Sequence, residues 1–362
     1  MPALAARSER PSVDDSGARP VRRTRWRHVA AAGPIIAVVT AQPDPDLATL
    51  IVSPLASRIR DERARRRVIR TATEALRQRG HPEVVVVETG DPEGIRQAAE
   101  AAVRDASSVV TIAGGDGTIR DAAGALVGTG VAVGIVPCGT GNLYAAAIGV
   151  PRNVDAAVAA LATGVPRRLD AGEVRLGVPE PEGGPGAAAP QPGPMPFMVA
   201  CGTGFDARVI SATSREMKRR YGVAAYFLAA STLLEHLKPR PTVLTIDGVR
   251  TELESVVVLV ANCGEAIPGV LGPRLPIRPD DGLLHVFVLP RGGILHGIRG
   301  ALELMTAAAA GFSPSGAAVR LAGVQVRVEV TPAGPTEVDG DPFPAGSMDA
   351  LVHPGALAVL LP

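Results

Sequence analysis

The chain has little of what marks several common protein classes. It holds three cysteines, Cys138, Cys201 and Cys263, scattered through apolar stretches with no CxxC pair, and its six histidines form no spaced cluster. That argues against a disulfide scaffold and a zinc site, and makes a reducing cytoplasm the expected compartment. Aromatic residues make up only 3% of the 362 residues, so the core has to be built from Val, Ala, Leu and Ile. Lysine is nearly absent (Lys218 and Lys238), and basic and acidic residues almost cancel, 37 against 36. Bulk charge therefore gives no reason to expect a nucleic-acid partner. No apolar run reaches the ~20 residues that span a bilayer. Residues 1–34, made basic by Arg19, Arg22, Arg23, Arg25 and Arg27, lack the charged-then-apolar order of a signal peptide. They read as a disordered arm, with attraction to anionic lipid as the second reading.

What the chain does have is alternation. Over 35–166, strand signals at 50–53, 84–88, 107–112 and 131–136 are separated by helical patterns at 58–79, 92–105 and 119–126. Strands alternating with helices imply a doubly wound α/β unit with a parallel sheet. Ligands of such sheets bind beyond the carboxyl ends of the strands. Over 167–362 the pattern changes to strands at 168–178, 197–201, 242–246, 255–261, 283–289, 324–330 and 357–361, with helices at 224–237 and 294–309. This half reads as an antiparallel β-sandwich, with a Pro/Gly/Ala-rich loop over 179–196 and a last strand free to pack back on the first half.

The most informative run is Ala113-Gly114-Gly115-Asp116-Gly117-Thr118, set between a buried-strand pattern and a helical one. Glycines there let backbone approach an anion, and the first helical N–H groups point at it. Asp116 repels a bare phosphate, so it implies a nucleotide hydroxyl, a metal or a metal-bound water. A second glycine turn, Pro137-Cys138-Gly139-Thr140-Gly141-Asn142, follows the next strand. Thr140 and the backbone N–H groups suit phosphate, while Asn142 suits fixing the loop or the acceptor. The basic-then-apolar order from Arg215, Lys218, Arg219 and Arg220 to Tyr226, Phe227 and Leu228 fits either a core helix or docking at an anionic membrane.

These two turns, in this order, resemble the diacylglycerol kinase catalytic domain, the lipid-kinase family that also holds sphingosine kinases and bacterial soluble lipid kinases. Gly202-Thr203-Gly204-Phe205-Asp206-Ala207, Pro279-Asp280-Asp281-Gly282-Leu283-Leu284, Val338-Asp339-Gly340-Asp341 and His353-Pro354-Gly355-Ala356-Leu357 match further pieces in order. The resemblance covers about 45–362. It implies ATP and Mg²⁺ as cofactors, a lipid substrate met at the inner face of a membrane, and no nucleic-acid partner, and it leaves a homodimer open. It makes Ser53, Ser57, Thr89, Gly114, Gly115, Asp116, Gly117, Thr118, Thr140 and Asn142 the nucleotide contacts. From its own surroundings Thr89 reads equally as a helix N-cap neighbour. The resemblance further implies a structural Mg²⁺ held by Asp281 and the carbonyls of Arg278 and Leu283, where the residues alone read as a turn.

Two positions depart from the family pattern. Ser53-Pro54-Leu55-Ala56-Ser57 stands where the family has Asn-Pro-x-Ser-Gly. Asp341 stands where it has glutamate, which makes Asp341 the expected general base, about 1.5 Å shorter in reach. Either the loop sits closer, or turnover is low, or Asp339 shares the role. The catalytic pair expected is thus Asp341 and Asp116. The alternatives are an NAD kinase-like enzyme and a nucleotide-binding protein with little catalysis.

Overall fold

The computed structural model describes residues 43–177, 193–204, 239–264, 277–290, 311–312, 319–343 and 347–362. The expected arm at 1–34, most of the loop at 179–196, the helices at 224–237 and 294–309, the Arg215–Leu228 stretch and Phe205-Asp206-Ala207 lie outside them.

The first half runs β1 (Asp44–Val52), α1 (Glu62–Arg79), β2 (Glu83–Glu88), α2 (Pro92–Arg104), β3 (Ser107–Gly114), α3 (Asp116–Leu126), β4 (Ala132–Pro137), α4 (Leu143–Ala147) and α5 (Val154–Thr163). The second runs β5 (Val165–Gly177), β6 (Met195–Phe197), β7 (Ala200–Thr203), β8 (Arg240–Ile246), β9 (Val249–Ala261), β10 (Leu284–Pro290), β11 (Gly311–Phe312), β12 (Val319–Gly323), β13 (Gln325–Val330), β14 (Thr336–Val338), β15 (Asp341–Phe343) and β16 (Ser347–Leu361). It is a parallel α/β layer followed by antiparallel β-structure.

Strands β2, β1, β3 and β4 lie side by side and pair in parallel. Central β3 is almost wholly buried, as expected of a parallel strand covered on both faces. One face packs against α2 and α3 through Ile95, Ala99, Ile119, Ala122 and Leu126. The other packs against α1 and α5 through Val68, Ala72, Leu76, Val158 and Leu161. Each buried Leu or Ile contributes about 1.5–3 kcal/mol. Strand β16 continues the sheet: it pairs in parallel with β4 (Ala358↔Ala132) and antiparallel with β5 and β13. The second core gathers Val174, Leu244, Val258, Val326, Val328, Val338 and Met348.

Several boundaries move, each for a local reason. The helix expected from Arg58 starts at Glu62, because Asp61 caps it by accepting the Ala64 N–H at 3.0 Å. Helix α3 starts at Asp116 rather than Ile119, within the glycine run. The strand expected over 197–201 is broken into β6 and β7 at Met198 and Val199. The short strands β12, β14 and β15 and helix α5 complete the pattern.

Candidate active site

Strands β3 and β4 end next to each other, with Gly114 opposite Pro137. The Cys138 N–H donates to the Gly114 carbonyl at 2.8 Å, so the two glycine turns emerge locked together. They touch: a Cβ on Gly139 would lie 2.6 Å from the Gly115 Cα. A Cβ on Gly114 would meet Thr118 at 2.5 Å, so only glycine lets the first turn of α3 fold onto the strand end. Gly115 is the N-cap of α3 and offers no side-chain acceptor, which leaves the first N–H groups of that helix free of a cap. Space above Gly117 is open, with no atom within 4 Å of a Cβ built there.

The other predicted contacts arrange themselves around this pair. Asn142 is buried in the left-handed region (φ 51) and braces its own turn. Its Oδ1 accepts the Gly139 N–H and its Nδ2 donates to the Gly139 carbonyl, both at 2.8 Å. Asp116 Oδ1 accepts the Tyr144 N–H at 3.0 Å, fastening α4 to the start of α3. The loop after β1 joins from the side: Thr140 Oγ1 donates to Ser57 Oγ at 3.1 Å, Arg58 N–H to the Cys138 carbonyl, and Ser53 N–H to the Ala113 carbonyl. Thr89 lies at the end of β2, its N–H donating to the Val52 carbonyl beside Ser53 and its hydroxyl to Asp91, the N-cap of α2.

The acidic hairpin comes to this cluster from the second half. Asp339 (φ 48) and Gly340 (φ 86) form the two-residue turn between β14 and β15. Arg120, one helical turn below Asp116 on α3, reaches across. Its Nη1 meets Asp341 Oδ2 at 2.6 Å and the Val338 carbonyl at 3.2 Å, and its Nη2 meets Asp121 at 3.2 Å. Asp341 is thus tied by one arginine to α3, the helix that Asp116 begins. Burial opposes the Arg120 charge, but Asp341 and Asp121 outweigh it and hold the guanidinium above its ordinary value. Asp339 accepts the N–H groups of Met198, Val199 and Ala200 at 2.8–3.0 Å, and this is what breaks the strand into β6 and β7.

Burial pushes Asp339 up to about 6 against those three hydrogen bonds. Burial, with Asp339 and Asp341 adding to it, pushes Glu337 up to about 7. Both carboxyls thus keep protons in the fold that the unfolded chain has released. Stability from this source is present below the unfolded values of 3.8 and 4.5 and is lost as pH rises through about 6 and 7. The thermal midpoint is expected to fall between about pH 5 and pH 8, and to fall less in Glu337→Gln. Calorimetry across that range checks it; equal slopes in the two proteins would contradict it.

The third predicted cluster is arranged for turn closure. Arg278 pairs with Asp280 at 3.0 Å. Asp281 Oδ1 accepts the Leu283 N–H and Oδ2 meets His285 Nε2 at 3.0 Å. Among the described residues no group of three His, Cys, Asp or Glu converges as a metal site. The set expected there, one carboxylate with two backbone carbonyls, consists of the hard oxygens that Mg²⁺ takes alongside waters, each Asp281 oxygen carrying one hydrogen bond here, and no step is derived through an ion at this place. The residue that orders this region is Asp170, buried, whose carboxylate accepts Gly282 N–H at 2.7 Å and Gly355 N–H at 2.8 Å. Sequence reasoning misses Asp170 and Arg120, each of which stands among other charged residues of its element, and no local pattern singles either out.

Residues 48–174 match the family model described as diacylglycerol kinase catalytic domain, and residues 199–361 match the YegS C-terminal NAD kinase beta sandwich-like domain. A Pseudomonas aeruginosa protein named probable lipid kinase YegS-like is 30% identical over 297 residues, 81% of this chain and 89% of that one. An uncharacterized Synechocystis protein is 25% identical over 269 residues, which span 74% of this chain but only 58% of that protein. The crystal structure of a diacylglycerol kinase from Bacillus anthracis superposes with a TM-score of 0.62 at 17% identity, covering 88% of this chain and 97% of that one. With both halves matched in order, and with glycine turns and hairpin assembled at one place, the chain belongs to the diacylglycerol kinase catalytic-domain family, with the YegS-like lipid kinases.

Proposed function

We propose that this protein is an ATP-dependent lipid kinase that moves the γ-phosphoryl group of MgATP to a hydroxyl of diacylglycerol or a related lipid. A sphingoid base remains a second acceptor class. The observation that carries the reading is the contact between the two glycine turns, with the acidic hairpin tied by Arg120 to α3, the helix that leaves the first of them. The uncapped N–H groups of α3, the backbone at Gly115 and Gly139, and the hydroxyls of Ser57 and Thr140 would hold the phosphates. Asp116, with Oδ1 fixed by Tyr144, would turn its other oxygen to the Mg²⁺ of the substrate or to a ribose hydroxyl. The hairpin carboxylates would face the attacking alcohol. Phosphoryl transfer in such a site is positioning plus charge stabilisation. No helix among the described residues is long and apolar enough to cross a membrane, so the lipid would be met at the surface of the bilayer.

The test is transfer of label from γ-labelled ATP to diacylglycerol or sphingosine in mixed micelles, with Asp116→Ala as control. Labelled phospholipid is expected. Folded protein that binds ATP and labels no lipid would defeat the reading, and NADP formed from NAD would move the chain to the NAD kinase class.

Gly117→Ala gives a cleaner probe of the cradle. The methyl would enter open space, and alanine is the better helix former by about 0.5–1 kcal/mol. The melting temperature is expected to hold or rise while KM for MgATP rises about tenfold, equivalent to about 1.4 kcal/mol of lost binding. An unchanged KM would place the phosphates elsewhere.

A further inference from the structure

Strand β2 closes one end of the sheet, and among the described residues it pairs with β1 alone. Its sequence is Glu83-Val84-Val85-Val86-Val87-Glu88. The helices do not cover it as they cover β3. Val84 packs at the margin of the α1 core and Val87 at the margin of the α2 core, but Val85 is 49% exposed and Val86 39%. Of the large hydrophobics exposed among the described residues, these are the only two adjacent in sequence. A parallel strand is normally covered on both faces, and an apolar edge left in water is a template for another strand. Lysine, proline and bulges, which blunt such edges, are absent between Glu83 and Glu88.

The hydrogen-bond phase of β2 selects what can pair there. The Thr89 N–H donates inward to the Val52 carbonyl. Backbone groups alternate sides along a strand, so those of Val85 and Val87 also face β1, and those of Val84, Val86 and Glu88 point outward. Antiparallel pairing sets outward residues opposite outward residues. A second copy related by a twofold axis at Val86 uses all three. Val86 then faces Val86, and Val84 faces Glu88, each pair exchanging both N–H···O bonds. Val85 lies opposite Val87, and Glu83 opposite Thr89. The palindromic alignment, Glu83 against Glu88, would oppose like charges, but it sets outward residues against inward ones and is closed. An axis at Val85 would place Pro82, which has no N–H, opposite Glu88. Glu88 enters the seam already paired, its Oε2 on Arg65 Nε at 2.7 Å.

We propose that β2 is a self-association edge whose occupant is β2 of a second copy of this chain, in the antiparallel register centred on Val86. The two parallel sheets become one. Their carboxyl ends point opposite ways, so the glycine turns of both copies stay open, and the inference does not rest on the lipid-kinase reading. One strand from each copy makes a small interface, below about 1,200 Å² in total, so the dimer dissociates on dilution.

Sedimentation equilibrium of the full chain over about 1–100 μM, beside Val86→Lys, tests the edge. Wild type is expected to pass from monomer to dimer across that range. Val86→Lys sets like charges across the axis and removes an apolar contact, and should raise the dissociation constant about tenfold or more, with the melting temperature of the dilute protein unchanged. Val86→Cys tests the register. Facing residues of a hydrogen-bonded antiparallel pair have Cα atoms about 5.5 Å apart, within disulfide reach, and the three native cysteines are buried. Mild oxidation should therefore link Val86→Cys into a covalent dimer. Val85→Cys should link poorly alone and well when mixed with Val87→Cys. A wild-type chain that stays monomeric at the top of the range overturns the proposal, whether its own upstream residues or nothing covers the edge. A dimer that Val86→Lys leaves intact, or one that Val85→Cys links faster than Val86→Cys, overturns it as well. If Val86→Lys does not fold, cross-linking of the near-isosteric Val86→Cys decides.

Discussion

Asp116→Asn is expected to lower kcat/KM about 10³-fold while leaving the fold nearly as stable as wild type. Asp116 has two jobs that the variant separates. Its Oδ1 accepts the Tyr144 N–H at 3.0 Å and so pins α4 to α3. An asparagine oxygen can accept the same bond, so the pin survives. What is lost is the charge, the one property that suits the metal of MgATP or a ribose hydroxyl at a glycine turn. Removing one preorganised electrostatic group from a phosphoryl- or acyl-transfer site costs about 10²–10³-fold, and loss of a metal contact adds to it. Asp116→Ala should lose the activity and also about 1–3 kcal/mol of stability, because the Tyr144 N–H is then orphaned. Kinetics and urea unfolding on the two variants separate the roles. An asparagine variant as active as wild type would leave Asp116 only structural.

The second large effect is expected at Arg120. Its side chain is 14% exposed and serves Asp121, Asp341 and the Val338 carbonyl together. Asp341 is 55% exposed, so water compensates its loss and that arm is worth under about 1 kcal/mol. Asp121 is only 16% exposed, and burial already pushes its carboxyl up against the pull of Arg120. Without the arginine this carboxylate and the Val338 carbonyl are left with no cation. Arg120→Met should therefore destabilise by about 2–4 kcal/mol, most of it through Asp121. Adding Asp121→Asn should recover about half, and adding Asp341→Asn should recover little. Denaturant unfolding of this double-mutant cycle checks it. Equal recovery from the two would contradict the weighting.

The cradle was legible in the sequence because its information is local. Strand, glycine run and helix follow one another within about a dozen residues at both turns, and a parallel α/β unit makes neighbours of successive strand ends. Glycine disfavours helix and so places the start of α3 too late in a reading of the sequence, whereas the close packing of Thr118 on Gly114 fixes the first turn. The sequence over 197–201 has a continuous strand pattern because nothing nearby signals that Asp339, 139–141 residues away, takes its N–H groups. Arg120 was invisible for the same reason: its partner carbonyl is 218 residues distant. Strands β14 and β15 span three residues each, too few for a period-two pattern to register. Thr89 combines both of its readings, a strand-end position beside β1 and a hydroxyl that donates to the cap of α2.

Hydrogen exchange of the backbone amides, with and without a saturating non-hydrolysable MgATP analogue, tests the central claim most directly. If the touching turns form one nucleotide cradle, the amides of 115–118 and of 139–142 slow together on binding, while the outer strand Glu83–Glu88 keeps its rates. Binding measured in the same sample with protection of neither turn, or of one without the other, would contradict it.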